Sequence, residues 1–247
     1  MTDYIDWTRK IFGVAVQKPG FLHSMQFWSD PEWNQKAHVA LLDVEIKYVD
    51  RLLENIRDHD VSGALVEFGV YQGWWVNHLY EASERIGLHR KVIGYDSFQG
   101  LSQPDPEKDE EFWKEGQYAV DLDTVSRNVR QSERSRIELI PGFFSDSLVR
   151  NDAQKIGAIA FARIDCDIYG PALECLHYLT TRLSHGSVLV FDDWPHHLDF
   201  GECLAFREWL ETVDQFDFEL LFAGTYGHLY MRVWIKGKER WKDAFPL

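Results

Sequence analysis

The chain has 247 residues, enough for one α/β domain with a large buried core, and 26 Lys and Arg against 40 Asp and Glu give it a net charge of −14. This charge argues against nucleic acids and anionic membranes as partners. The sequence shows no apolar run long enough to span a bilayer, no signal-peptide pattern and no Cys-x-x-Cys pair among its three cysteines, so we expect a cytoplasmic protein without a disulfide framework or zinc site.

The first 60 residues predict a helical appendage to the rest of the chain. Apolar residues recur at helical spacing from Ala37 to Arg57, after a break near Asp30-Pro31. Because this region precedes the first predicted strand, we expect an appendage or lid over residues 1–60 and a sheet domain over residues 61–247. The apolar and aromatic surface of the N-terminal helices favours a homodimer.

Strands and helices alternate through the sheet domain. We predict strands at residues 64–68, 91–95, 136–140, 156–164 and 187–191, with helices between them and a solvated acidic loop over 104–116. The last two strands, 216–222 and 228–235, are joined by five residues. That linker is too short for a helical crossover, so the sequence predicts a mostly parallel sheet with a C-terminal antiparallel hairpin.

Two clusters of acid follow neighbouring predicted strands. Asp165-Cys166-Asp167 ends one strand, and Asp192-Asp193 ends the next. In a parallel sheet both clusters emerge at the same edge, where open α/β sheets bind ligands. Aspartates also end strands and cap helices in many proteins. Because converging carboxylates usually share a cation or a proton, two adjacent clusters favour a divalent metal site.

The turn after the first strand predicts a nucleoside ligand. Glu67 to Gly73 has two glycines but lacks the third glycine of a dinucleotide fingerprint and the Gly-Lys-[Ser/Thr] of an NTP loop. Glu67 can meet an ammonium group, and Asp96, after the second strand, can accept hydrogen bonds from ribose hydroxyls. An amino-acid ammonium together with a ribose describes S-adenosylmethionine.

Five blocks occur in order along the chain: Glu67-Phe-Gly-Val-Tyr-Gln-Gly73, Tyr95-Asp-Ser-Phe-Gln-Gly-Leu101, Ile140-Pro-Gly-Phe-Phe-Ser-Asp-Ser-Leu148, Arg163-Ile-Asp-Cys-Asp-Ile-Tyr169 and Val190-Phe-Asp-Asp-Trp194. From about residue 60 onward the chain resembles the macrocin-type sugar O-methyltransferases of the TylF/MycF family. The resemblance implies a Rossmann-like class I methyltransferase fold that uses S-adenosylmethionine. It also implies Mg²⁺, or another hard divalent cation, that binds adjacent sugar hydroxyls of a glycosylated small molecule.

The resemblance also implies the site residues. Metal ligands would be Asp165, Asp192 and Asp193. The cofactor contacts would be Met25, Glu67, Phe68, Gly69, Val70, Tyr71, Gly73, Asp96, Ser97, Gly142, Phe143 and Ser145. The stretch 195–201 departs from the family by being longer and more basic, which leaves the acceptor open.

We expect Asp165 to act as the catalytic base, because a metal ligand with a free carboxylate oxygen can take the hydroxyl proton. His196 and His197 are alternatives. Three other functions stay open: methylation of a catechol-like aromatic, nucleoside binding without catalysis, and a nicotinamide-dependent oxidoreduction disfavoured by the missing glycine.

Overall fold

A seven-stranded sheet organises the part of the chain that the computed structural model describes, residues 31–194, 199–223 and 228–242. Its strands in chain order are β1 (Ala64–Phe68), β2 (Val92–Asp96), β3 (Ile137–Pro141), β4 (Ile159–Ile164), β5 (Leu183–Phe191), β6 (Phe216–Ala223) and β7 (Leu229–Ile235). In space they follow the order β3-β2-β1-β4-β5-β7-β6. The first five strands are parallel, and β7 pairs antiparallel with both β5 and β6. The predicted fold class is confirmed.

Helices cover both faces of the sheet. They are α1 (Pro31–Asp58), α2 (Trp74–Arg85), α3 (Leu122–Asn128), α4 (Phe144–Ser147), α5 (Asn151–Gln154), α6 (Tyr169–Leu179) and α7 (Gly201–Leu210). Neighbouring strand residues such as Leu65 and Val66 belong to apolar clusters on opposite faces, as the two-residue period of a strand requires. Because both faces are covered, the parallel strands are mostly apolar.

Helix α1 shares the core of the sheet. Val49, Leu52, Leu53 and Ile56 recur at helical spacing, are fully buried, and lie in one cluster with residues of α2 and of β1. The division of the chain at residue 60 stays a prediction. Among the described helices, none combines the length and the apolar character needed to cross a bilayer.

The order of the strands determines where a ligand can bind. The chain adds β2 and β3 on one side of β1, and then crosses to add β4 and β5 on the other side. A crevice forms beyond the carboxyl ends of the strands at such a reversal. The carboxyl ends of β1, β2, β4 and β5, which carry the sequence blocks described above, meet there.

Helix α6 and strand β5 differ from the prediction in their limits. The sequence predicts a helix up to about residue 183 and a strand from residue 187, but the helix ends at Leu179 and Leu183 already begins β5. Ser187 explains the earlier start of the strand, because its hydroxyl donates to the carbonyl of Ile159 on β4 and accepts from the amide of Ser184. These hydrogen bonds hold a polar, glycine-containing stretch in the sheet.

Candidate active site

A cavity of about 730 Å³ opens at the carboxyl ends of the strands, within the size range of small-molecule sites. Nine of the residues predicted from the sequence line it: Gly69, Tyr71, Asp96, Ser97, Phe143, Ser145, Asp165, Asp192 and Asp193. The predicted cofactor contacts and the predicted metal ligands therefore face one space.

The other predicted cofactor residues lie elsewhere. Phe68 and Val70 are buried in the two apolar clusters, and Gly73 precedes α2. Neither Gly142 nor Glu67 is among the residues that line the cavity. Met25 lies outside the described residues, as do the alternative bases His196 and His197.

The glycines after β1 have packing roles. Gly69 has a φ of +87°, and a Cβ atom there would lie 1.8 Å from the carbonyl oxygen of Asp165. Gly73 has a φ of +86°, and its Cβ would lie 2.5 Å from Val129 Cγ1. Both positions need the backbone freedom and the small size of glycine. The turn can approach β4 closely for this reason.

Asp96 ties this turn to β2. Its Oδ2 atom accepts hydrogen bonds from the amides of Val70 at 2.7 Å and Tyr71 at 3.1 Å, and its Oδ1 atom accepts one from Phe98 at 2.6 Å. A carboxylate offers about four lone-pair sites, so about one remains for a ligand. The ribose contact stays a prediction, and the structure adds an anchoring role.

Glu67 is a buried carboxylate at the end of β1. It is 1% exposed, and its Oε1 atom lies 3.8 Å from Arg163 Nε. Its Oε2 atom is buried and has no hydrogen-bond partner among the described residues. Burial raises the pKa of Glu67 well above its usual range, although Arg163 opposes the shift. A buried acceptor without a partner can take a hydrogen bond from a ligand ammonium, but Glu67 does not line the cavity, so this contact stays a prediction.

Three aspartates converge on the other side of the cavity. One oxygen each from Asp165, Asp167 and Asp193 lies within 4.8 Å of the others, and we call these residues the acidic triad. Burial, followed by the nearby charges of Asp193 and Asp165, raises the pKa of Asp167 to about 9. Burial also raises the pKa of Asp165 and of Asp193, which face like charges as well.

Asp192 lies beside the acidic triad rather than in it. It forms an ion pair with the Arg163 guanidinium, and its Oδ1 atom lies 3.0 Å from His228 Nε2. The structure therefore brings together two of the three predicted metal ligands and adds Asp167, whose place two residues after Asp165 was visible in the sequence. The part of Asp192 in metal binding stays a prediction.

The charge balance of the site fits a cation. Arg163 is 2% exposed, stacks 4.3 Å above the Trp75 ring and faces the carboxylates of Glu67, Asp165 and Asp192. One guanidinium thus faces three carboxyl groups, and Asp167 and Asp193 of the acidic triad add two more. All of these ligand atoms are oxygens, which suit Mg²⁺, Mn²⁺ or Ca²⁺ rather than zinc.

Glu202 joins the two acidic loops. It is fully buried in the first turn of α7, where Oε1 accepts from the Cys166 amide at 2.9 Å and Oε2 from the Asp193 amide at 3.2 Å. Burial and then Asp193 raise the pKa of Glu202 well above its usual range. A glutamate at the start of a helix gives no sequence signal for this contact.

The loop over residues 104–116 is mostly exposed, as predicted, and it also forms part of the cavity wall. Asp109 is 4% exposed, and its Oδ1 atom accepts a 2.7 Å hydrogen bond from the Tyr169 amide. Near the mouth, Tyr118 contacts Tyr71 and Trp113 at ring separations of 5.7 and 6.2 Å. The acidic composition of the loop gave no sign of this one buried anchor. Lining residues missed from the sequence include Gln103, Asp105, Asp109, Trp113, Gln117, Tyr118 and Tyr169.

Two solved structures share the fold of this chain. CalS11, a calicheamicin methyltransferase, is 21% identical with a TM-score of 0.63, covering 92% of this chain and 96% of that one. The O-methyltransferase NovP is 23% identical with a TM-score of 0.60, covering 76% of this chain and 78% of that one. At this identity the likeness shows a class I methyltransferase fold.

Sequence comparison gives the family. The 8-demethyl-8-(2,3-dimethoxy-alpha-L-rhamnosyl)-tetracenomycin-C 4'-O-methyltransferase of Streptomyces olivaceus is 26% identical over 77% of this chain and 79% of that protein. The mycinamicin III 3''-O-methyltransferase of Micromonospora griseorubida is 25% identical over 67% of this chain and 68% of that protein. The family model for macrocin-O-methyltransferase (TylF) matches residues 14–214, and the chain, an O-methyltransferase, belongs to that family.

Proposed function

We propose that this enzyme transfers the methyl group of S-adenosylmethionine to a sugar hydroxyl of a glycosylated natural product, with the help of a divalent cation. The observation that carries the proposal is the single cavity, in which the turn after β1 and Asp96 face the acidic triad. The sugar derivatives in the names of the two curated relatives support a glycosylated acceptor.

The two sides of the cavity would have separate tasks. On the β1–β2 side, Glu67, Asp96 and the backbone of the turn would hold the cofactor. On the β4–β5 side, Asp165 and Asp193 would hold the cation, with Asp167 or Asp192 as a third ligand. A bound divalent cation supplies a positive charge that lowers the pKa of a coordinated sugar hydroxyl.

The proton of that hydroxyl needs an acceptor in the same cavity. We assign this role to Asp165, and Asp167 is a second carboxylate within the triad that can take it. Arg163 lies 3.6 Å from Asp165 Oδ2 and would keep that carboxylate charged and oriented. The acceptor must also be positioned, and the exposed rings of Tyr71 and Tyr118 offer flat surfaces near the mouth.

The test is turnover with methyl-labelled S-adenosylmethionine and matched acceptors. We expect methylation of a rhamnosylated aromatic compound on the sugar, located by mass spectrometry and NMR, and none of the free aglycone. EDTA should abolish turnover and Mg²⁺ should restore it. Turnover of a simple catechol with none of the glycoside would favour the aromatic alternative, and full turnover in EDTA would contradict the cation.

Single substitutions distinguish the roles of the carboxylates in cation binding and in proton transfer. Asp165→Asn and Asp193→Asn should each weaken Mg²⁺ binding in calorimetry. A base is worth about 10²–10⁴-fold in rate. If Asp165 is the base, Asp165→Asn should lose that factor even at saturating Mg²⁺, whereas Asp167→Asn should keep most of its rate. The reverse result would assign the proton to Asp167. Family membership already leaves the oxidoreductase and non-catalytic alternatives without support.

A further inference from the structure

A histidine behind the acidic triad lies between two carboxylates. His228 Nδ1 is 2.5 Å from Glu45 Oε1, and His228 Nε2 is 3.0 Å from Asp192 Oδ1. Because an ionised carboxylate can only accept, the ring is the donor in any hydrogen bond with Glu45 or with Asp192. The imidazole ring therefore connects helix α1 with the carboxyl end of β5.

Glu45 is a fixed partner for this ring. It is 1% exposed, and the hydroxyl of Tyr230 on β7 donates to the same Oε1 atom. Burial opposes the ionisation of Glu45, but the hydrogen bonds from His228 and Tyr230 outweigh it and lower the pKa. A buried, charged acceptor with two donors leaves the ring little freedom to rotate.

Asp192 is held on one side only. Its Oδ1 atom is buried and faces both His228 and Arg163. The side chain as a whole keeps 20% of its surface exposed and lines the cavity. The carboxylate therefore combines a buried Oδ1 atom with an accessible part that faces the cavity beside the acidic triad.

We propose that His228, held by Glu45, is a positioning residue that fixes Asp192 so that its second carboxylate oxygen faces the cation site. The inference rests on the cation in the proposed function. It adds Glu45 and His228 to the residues that support the cation site; they lie 183 positions apart, and neither belongs to the five sequence blocks. Partners of this kind behind metal ligands determine the ligand's orientation, and losing one commonly costs about 10–100-fold in metal affinity.

The experiment measures Mn²⁺ affinity by electron paramagnetic resonance on the whole protein without cofactor. We expect the Mn²⁺ dissociation constant to rise about 10–100-fold in His228→Ala. The affinity for S-adenosylhomocysteine, measured by calorimetry, should stay unchanged because the β1–β2 side is intact. Glu45→Gln keeps the size of the side chain and weakens the hold on His228, so it should show a smaller rise.

His89→Ala is the matched control. His89 Nδ1 lies 3.3 Å from Glu84 Oε1 in another histidine–glutamate pair, which does not line the cavity. This variant should bind Mn²⁺ and S-adenosylhomocysteine like the wild type. If His228→Ala does not fold, Glu45→Gln against His89→Ala gives the same comparison.

The outcomes decide whether His228 positions Asp192. Selective loss of Mn²⁺ affinity supports the positioning role. Unchanged Mn²⁺ affinity in both variants overturns it. Equal losses of Mn²⁺ and S-adenosylhomocysteine affinity with a lower melting temperature also overturn it, in favour of a purely structural contact between α1 and β7. A wild type that binds no Mn²⁺ overturns the cation of the proposed function, and this inference with it, before any variant is made.

Discussion

At the scale of single residues, the most informative group is Asp167. Its backbone is left-handed, with a φ of +62°, and its carboxylate lies with Asp165 and Asp193. Left-handed non-glycine residues are costly and often occur at functional sites. The pKa of about 9 shows how strongly this group holds a proton in the cation-free protein. Because Asp167 and Asp193 interact closely, that proton belongs to the pair.

If the proposed cation binds at the acidic triad it must displace this proton, so Mg²⁺ affinity should rise with pH up to about 9, by at most about tenfold per pH unit. Calorimetry in two buffers of different ionisation enthalpy would measure the released proton. Asp167→Asn should bind more weakly and with a shallower pH dependence. An affinity that is constant between about pH 6 and 9 would contradict the assignment.

The same proton affects the stability of the cation-free protein. The folded-state pKa of about 9 lies above the ordinary value of 3.8, so the folded protein keeps a proton that the unfolded chain releases. Stability should therefore fall as the pH rises between those two values. The melting temperature of the wild type relative to Asp167→Asn should show this decline, because groups such as Glu45, Glu84 and Asp121, whose pKa values are lowered, affect both proteins alike. A difference between the two proteins that increases with pH would be inconsistent with the raised pKa.

At the scale of elements, the turn after β1 and the end of β4 form one unit. Gly69 lies so close to the Asp165 carbonyl that a side chain there has no room, and the Gly69 amide also donates to the Tyr95 carbonyl of β2. The position of this turn relative to the acidic triad is consequently set by backbone contact.

The substitution Gly69→Ala should show how much free energy of unfolding depends on the close approach of Gly69 to the Asp165 carbonyl. Gly87 is a matched control, since its φ of +75° is similar and a Cβ there would meet nothing within 4 Å. Gly87→Ala should cost about 1–2 kcal/mol for the left-handed backbone. Gly69→Ala should cost about 1–3 kcal/mol more because of the clash. Urea unfolding measures both, and equal losses would show that the turn can move away from β4 at no cost.

The elements were largely predictable, and the reason is local. The spacing of apolar residues and the glycine turns determine the strands and helices, and the short final linker determines the hairpin. The parallel topology then places the aspartates that follow β4 and β5 at one edge of the sheet. The contacts that orient these acids were not predictable. Glu45 reaches His228 across most of the chain, Glu202 meets two backbone amides, and Asp109 is buried within an acidic loop. No local pattern encodes such partners.

At the scale of the whole molecule, the two ends of the sheet differ in character. The carboxyl end holds the cavity and its charges. At the opposite end, near the start of β5, aromatic side chains pack together: Trp241 stacks on His59 at 4.4 Å, contacts Trp234 at 4.6 Å and lies over Gly186. The aromatic end has no residue among those that line the cavity.

Trp241→Ala should therefore affect stability alone. Loss of the packing should cost about 1–3 kcal/mol, seen as a lower melting temperature. Binding of Mn²⁺ and S-adenosylhomocysteine below that temperature should be normal. Trp75→Ala is the contrasting variant, because the Trp75 ring supports Arg163 and its loss should disturb both stability and cation binding. Impaired ligand binding in Trp241→Ala would show that the two ends are coupled.

The strand order β5-β7-β6 has a consequence for how the protein folds during synthesis. Strand β6 leaves the ribosome before β7 but pairs only with β7, so the sheet cannot grow beyond β5 until β7 is available. His228 directly precedes β7. Glu45 and Asp192 are synthesised before His228, so they lack their shared partner until β7 has been made. The long-range step that adds β7 to β5 is thus also the step that completes the contacts of His228 with Glu45 and Asp192.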